Sequence, residues 1–192
     1  MAEAPRLLRS FIAIPLPEAL QQQLGELQKQ LRQLQPELKT PKKENLHLTL
    51  HFLGDQTQEQ LAKIKQIMLS IGKRKKIFNV TMGNLGFFPN QRKPRILWLG
   101  LQPQQELINL HQELAAGLNR IGVATEQRHF MPHLTIGRFR HLPRDTQTLC
   151  PFLSHNCGSL KIDRMVLYTS ELTPQGAIHK PWTTALLYAV DY

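Results

Sequence analysis

A chain of 192 residues, 41% hydrophobic and 20% charged, is long enough to bury a core without disulfide or metal staples, and its composition is globular rather than disordered or fibrous. A formal net charge of +10 and a pI near 10.0 point to anionic partners, nucleic acid foremost. The apolar run 7–16 is broken by Arg9 and Pro15, too short for a membrane span, and followed by no cleavage pattern, while Cys150 and Cys157 match neither CxxC nor zinc-finger spacing. These features predict a cytoplasmic protein with two free thiols in a loop-like stretch, folded as one domain or as two small lobes sharing a core.

Residues 11–14 read as a first strand, ended by Pro15 and Pro17. Leu20, Leu24, Leu27, Leu31 and Leu34 recur at helical spacing, predicting a helix that Pro36 closes. Residues 45–53 read as a strand, with Gly54 and Asp55 as its turn. Thr57 and Gln60 then form a capping-box pattern ahead of a second helix carrying Leu61, Ile64, Met68 and Ile71. Phe78, Val80 and Met82 alternate as a strand, 89–94 is a proline-bounded loop, and 95–101 is another strand. A third helix presents Leu107, Leu110, Leu114, Leu118 and Ile121 on one face, and segments 129–138, 165–168 and 185–190 complete the strands. Alternating strands and helices without long all-apolar strands predict an α/β (α+β) chain that is not a parallel doubly wound sheet. The basic run Lys73, Arg74, Lys75 and Lys76 ends the second helix, where cations suit the dipole; a solvated helix end is the plainer reading there than an RNA contact.

One pattern occurs twice. Asn45-Leu46-His47-Leu48-Thr49-Leu50 and Met131-Pro132-His133-Leu134-Thr135-Ile136 share His-Leu-Thr-aliphatic, as in a loose internal duplication. On a strand, residues two apart share a face, so each histidine projects beside a threonine while the aliphatic residues anchor behind. A lone His-x-Thr is uninformative, but two with matched flanks are hard to ascribe to packing. Two such units around one anionic group suit in-line displacement at phosphorus: a neutral imidazole takes a proton from the nucleophile, and a protonated one gives a proton to the leaving oxygen. The threonine hydroxyls can bind the non-bridging oxygens. A metal mechanism would want carboxylates, and neither histidine has an Asp or Glu within two residues. Such a pair predicts a bell-shaped pH profile with an optimum near neutrality, moved downward where basic surroundings depress both imidazoles.

At this point the chain resembles the two-histidine phosphoesterases, and within them the LigT-like RNA 2′,3′-cyclic phosphodiesterases. The likeness runs through residues 9–17, the first motif with Phe52-Leu53-Gly54, Gly86-Phe87-Phe88-Pro89, Arg95-Ile96-Leu97-Trp98, the second motif with Gly137-Arg138, and the segment 167–172 holding Ser170. It implies that residues 1–192 form a single bilobal domain, with two antiparallel sheets in pseudo-twofold symmetry around a central cleft and helices outside. It also implies hydrolysis of 2′,3′-cyclic phosphate RNA ends to 2′-phosphates, by a monomer needing neither metal nor other cofactor; some relatives also join RNA ends through a 2′–5′ linkage. His47 would protonate the leaving 3′-oxygen as general acid, and His133 would activate water as general base. Thr49, Thr135 and Arg138 would hold the phosphate. Strict alternation points Arg138 away from the site, and Gly137 offers a bulge that would re-aim it. His51 falls on the face of His47 and reads as a cleft-wall residue. Phe11 is left with two roles, stacking on a base or packing in the core. Near the carboxyl end, where relatives often carry a tyrosine, this chain has His179. The alternatives are a phosphodiesterase for small cyclic nucleotides or 2′–5′ oligoadenylates, and a non-catalytic module gripping RNA ends.

Overall fold

The computed structural model describes residues 6–126, 128–143, 145–152, 156–174 and 176–188. In chain order the elements are β1 (Leu8–Pro15), α1 (Glu18–Leu34), β2 (Leu38–Lys39), a 3-10 turn (Lys43–Asn45), β3 (His47–Gln56) and α2 (Gln58–Gly72). There follow β4 (Phe78–Phe88), β5 (Ile96–Gln102), α3 (Gln105–Arg120), β6 (His133–Phe139), a 3-10 stretch (Gln147–Phe152), β7 (Asn156–Ile162), β8 (Arg164–Thr173) and β9 (Gly176–Leu186). The strands make two antiparallel sheets, ordered β3-β1-β8-β9 and β2-β6-β5-β4-β7. The four-stranded sheet joins the two ends of the chain, so neither sheet corresponds to a half of the sequence. The motif strands β3 and β6 touch where the sheets meet. Helix α1 packs on β2 and β6, whereas α2 packs on β8, β9 and α3.

Helical periodicity translates directly into burial. Leu20, Leu24, Leu27 and Leu31 of α1 are buried, as are Leu61, Ile64, Met68 and Ile71 of α2 and Leu107, Leu110, Leu114 and Leu118 of α3. Leu34, 43% exposed, and Ile121, half-buried just past the end of α3, are the exceptions. The capping box forms in full: Gln60 N–H donates to Thr57 Oγ1 at 3.2 Å, and Thr57 N–H donates to Gln60 Oε1 at 3.0 Å. Each leucine so buried contributes roughly 1.5–3 kcal/mol of transfer free energy, which is why these three helices are the most legible elements.

Strand boundaries differ more. Gly54 and Asp55 are not a turn; β3 runs on to Gln56, with Ser10 opposite Gly54 and Arg9 opposite Asp55. Strand β4 continues through Phe87 and Phe88 past a bulge at Asn84, with Gly83 and Gly86 hiding the alternation. Gly86 lies across from Trp98, whose ring would stand 2.2 Å from an added Cβ. Strand β9 starts at Gly176 rather than 185; as a sheet edge with a mostly exposed pattern it carries little apolar signal, and residues 189–190 lie outside the described residues. Strands β2 and β7 carry no strong pattern, and periodicity does not reveal them. Cys157 sits buried in β7 rather than in a loop, Cys150 is exposed, and both are free thiols. Among the described residues no helix is long and apolar enough to cross a membrane.

Candidate active site

The two motifs are built alike. Leu48 and Leu50 behind the first, and Leu134 and Ile136 behind the second, are buried, while His47, Thr49, His133 and Thr135 are half-exposed. In both, the imidazole Nδ1 lies 2.7 Å from the carbonyl oxygen two residues earlier, Asn45 for His47 and Met131 for His133. A carbonyl only accepts, so Nδ1 carries the hydrogen and donates it. Each ring is thereby fixed in one tautomer, with Nε2 free to accept a proton or, once protonated, to give one.

Both motif strands are also bulged at the same place. On β3 the pairing skips Leu50, with Ala13 opposite Thr49 and Ile12 opposite His51; on β6 it skips Ile136, with Trp98 opposite Thr135 and Leu97 opposite Gly137. One extra residue reverses the alternation beyond it. Arg138 therefore points outward, exposed, and its guanidinium charge acts on His133. A side chain at Gly137 would force Leu38 of β2 to shift, because a Cβ would stand 2.7 Å from it. The same bulge corrects the reading of His51. It is 3% exposed and faces inward, while Phe52, 59% exposed, takes the outward position. His51 is not a cleft wall.

Aromatic rings brace the two imidazoles. Phe11 packs 4.8 Å from His47 and stacks at 5.1 Å and 16° on Tyr168. Only 4% exposed, it is packed as core while also lining the recess beside His47. His179 stands edge-on to His47 at 5.5 Å, its Nδ1 3.2 Å from Ser170 Oγ. Around His133, Phe88 lies at 5.0 Å and Trp98 at 6.3 Å. A recess of about 60 Å³ opens beside His47, walled by Phe11, Gln21, Asn45, Tyr168 and His179. Burial is the largest influence on both imidazoles. It pushes His47 down to about 4 from the ordinary 6.5, opposed by the bond to Asn45 and reinforced by the charge of His179. His133 is lowered too, by burial first, with Arg138 acting in the same direction. His179 and Tyr168 are additions that the sequence did not single out as site residues; only their strand pairing in β8 and β9 brings them to His47.

A second cluster joins the motifs from behind. The ring of His51 stacks on His111 at 4.0 Å, His111 stacks on Phe130 at 4.1 Å, and His51 Nε2 lies 2.9 Å from the His111 carbonyl. Phe130 immediately precedes Met131, whose carbonyl orients His133, and β6 starts only at His133 rather than at 129. Burial lowers both imidazoles, His111 to about 4 with His51 acting in the same sense; for His51 the bond to His111 and the charge of Glu126 oppose it. A folded-state value below the unfolded one means that the unfolded chain binds more protons between about 6.5 and the folded values. The stability due to the neutral stack is thus complete above that window and lost as pH falls through it. His111→Phe keeps the stack and leaves only His51 to titrate in it, so its Tm should fall less than the wild type's between about pH 7 and 5. Equal falls would show that His111 does not contribute to the acid sensitivity.

Two antiparallel sheets meeting along matched, bulged His-x-Thr strands define a two-histidine phosphoesterase. The chain belongs to the LigT-like phosphoesterase family, whose model matches residues 14–98 and 99–179, with one motif in each segment. It is 31% identical to the RNA 2′,3′-cyclic phosphodiesterase of Thermotoga maritima over 90% of this chain and 92% of that one. It is equally 31% identical to the protein of that name from Methanothermobacter thermautotrophicus, over 90% of this chain and 95% of the relative. Among solved structures it resembles E. coli LigT complexed with 3′-AMP, with a TM-score of 0.78 and 28% identity over 95% of this chain and 99% of that one.

Proposed function

We propose that this protein is an RNA 2′,3′-cyclic 3′-phosphodiesterase that opens a cyclic phosphate end to a 2′-phosphate. The observation that carries the reading is the matched pair of imidazoles, each with Nδ1 tied to a backbone carbonyl and Nε2 left for chemistry. His133, neutral, takes a proton from water as it attacks phosphorus; His47, protonated, hands a proton to the departing 3′-oxygen. Thr49 and Thr135, on the same faces as the histidines, donate to the non-bridging oxygens, and Arg138 balances their charge. No step calls for a metal or cofactor. The family match and the names of the relatives supply the substrate class. We place the protein in the cytoplasm as a monomer, a reducing compartment suiting the two free thiols.

Incubating the protein with cyclic-phosphate-ended RNA in excess EDTA, and resolving the products by mass spectrometry or chromatography, tests this directly. The expected product is the 2′-phosphate. A 3′-phosphate would reverse the regiochemistry, loss of activity in EDTA would refute the metal-free mechanism, and no turnover at all would leave the non-catalytic end-binding alternative in its place.

A further inference from the structure

The basic run 73–76 is a poor candidate for holding RNA. Arg74 is committed to Glu113 at 2.6 Å, and Lys75 to Glu106 at 2.6 Å with only 15% of its side chain exposed. Lys73 and Lys76 stay exposed at that helix end, and a second set of cations lies elsewhere. A groove of about 850 Å³ runs between α1 and the segment 40–43, lined by Lys29, Arg32, Lys42 and Lys43 against the single carboxylate of Glu26. Among the described residues neither Lys42 nor Lys43 enters an ion pair, and the Lys29–Glu26 pair is long, at 3.9 Å, and exposed.

This groove and the recess at His47 are lined by neighbouring residues of the chain. Lys43 lines the groove and the next residues, Glu44 and Asn45, line the recess; on α1, Gln22 lines the one and Gln21 the other. The stretch of α1 from Gln22 to Arg32 gives it a length of about 15 Å. Both walls are fixed. Gln28, 2% exposed, donates from Nε2 to the Pro41 carbonyl at 3.2 Å and to the Ile136 carbonyl, at the bulge of the second motif, at 3.1 Å. Arg32 donates to Thr40 Oγ1 at 2.6 Å. The floor is Gly25, in the middle of a helix, where glycine is disfavoured relative to alanine. Packing does not demand it, since a Cβ there would meet only the Lys43 stem at 3.4 Å, an ordinary approach. A larger side chain would fill the groove.

We infer that the groove between α1 and residues 40–43 is the track for the single-stranded RNA leading to the reacting end, its phosphates held by Lys29, Arg32 and Lys42. The inference rests on the phosphodiesterase reading for the identity of the polyanion, and is read by binding rather than turnover. The probe is a fluorescently labelled single-stranded oligoribonucleotide with a 2′,3′-cyclic phosphate, titrated with the intact protein at several salt concentrations. Lys29→Ala/Lys42→Ala should weaken its binding on the order of tenfold at about 0.1 M salt and flatten the log–log salt slope by about 1.4, at roughly 0.7 for each phosphate no longer neutralised. Gly25→Leu, which keeps every charge and fills the floor, should weaken the oligomer too. Neither variant should alter kcat/KM for a cyclic mononucleotide, and Lys73→Ala/Lys76→Ala should leave oligomer binding as in the wild type. Wild-type affinity and slope in the Lys29→Ala/Lys42→Ala variant would overturn the track, as would equal losses on oligomer and mononucleotide. Wild-type protein that binds the oligomer in this groove but never opens the cyclic phosphate would refute the activity and leave the track standing.

Discussion

Replacing either His47 or His133 by alanine should lower turnover of a cyclic-phosphate RNA by about 10²- to 10⁴-fold, the usual consequence of removing a general acid or base. The loss should be similar at both positions, because both imidazoles are held by the same bond to the carbonyl two residues earlier. The double variant should be little worse than either single one, since groups that act as one unit are not additive. The fold should survive, as the anchoring side chains are Leu48, Leu50, Leu134 and Ile136 rather than the half-exposed histidines. Steady-state kinetics with circular dichroism as the folding control decides the matter. A single variant retaining more than about a tenth of wild-type activity would remove its histidine from the chemistry.

The second large effect is on pH. With both imidazoles pushed below the ordinary 6.5, His47 to about 4, the neutral base is plentiful through the physiological range and the protonated acid is the scarce species. Both limbs of the kcat/KM profile therefore fall below about pH 6.5 in the free enzyme and belong to the coupled pair. Above that, each pH unit should remove about a factor of ten, so activity falls on the order of a hundredfold between about pH 6.5 and 8.5. Charge alone suggested an optimum near neutrality, with basic neighbours as the cause of any downward shift; the structure makes burial the leading cause, with His179 and Arg138 as lesser contributors. Measurement of kcat/KM against pH tests it, and a profile still rising through about pH 7.5 would mean that burial does not govern these two groups.

The reach of the sequence is set by what kind of signal each residue carries. The three helices, the capping box at Thr57 and the His-x-Thr faces are local: period and spacing are enough, because a side chain's direction depends only on its own few neighbours along the chain. The duplicated motif identified His47, Thr49, His133 and Thr135 for the same reason, and the structure places each where alternation put it. What alternation could not show is where it stops. The bulges at Leu50 and Ile136 exist because of how β1 and β5 pair with the motif strands, and they bury His51 while turning Phe52 and Arg138 outward. Phe11 similarly became core only when β8 brought Tyr168 to its face. The approach of His179 to His47 and the His51–His111–Phe130 stack join residues whose proximity depends on strand order or loop path, while the bonds to Asn45 and Met131 turn on the backbone conformation just before each motif strand. The sequence by itself determined the chemical groups and the faces they occupy up to the bulges. Tertiary structure decided their tautomers, their protonation and which of them reach the site, because burial and long-range pairing are properties of the packed chain and not of any segment within it.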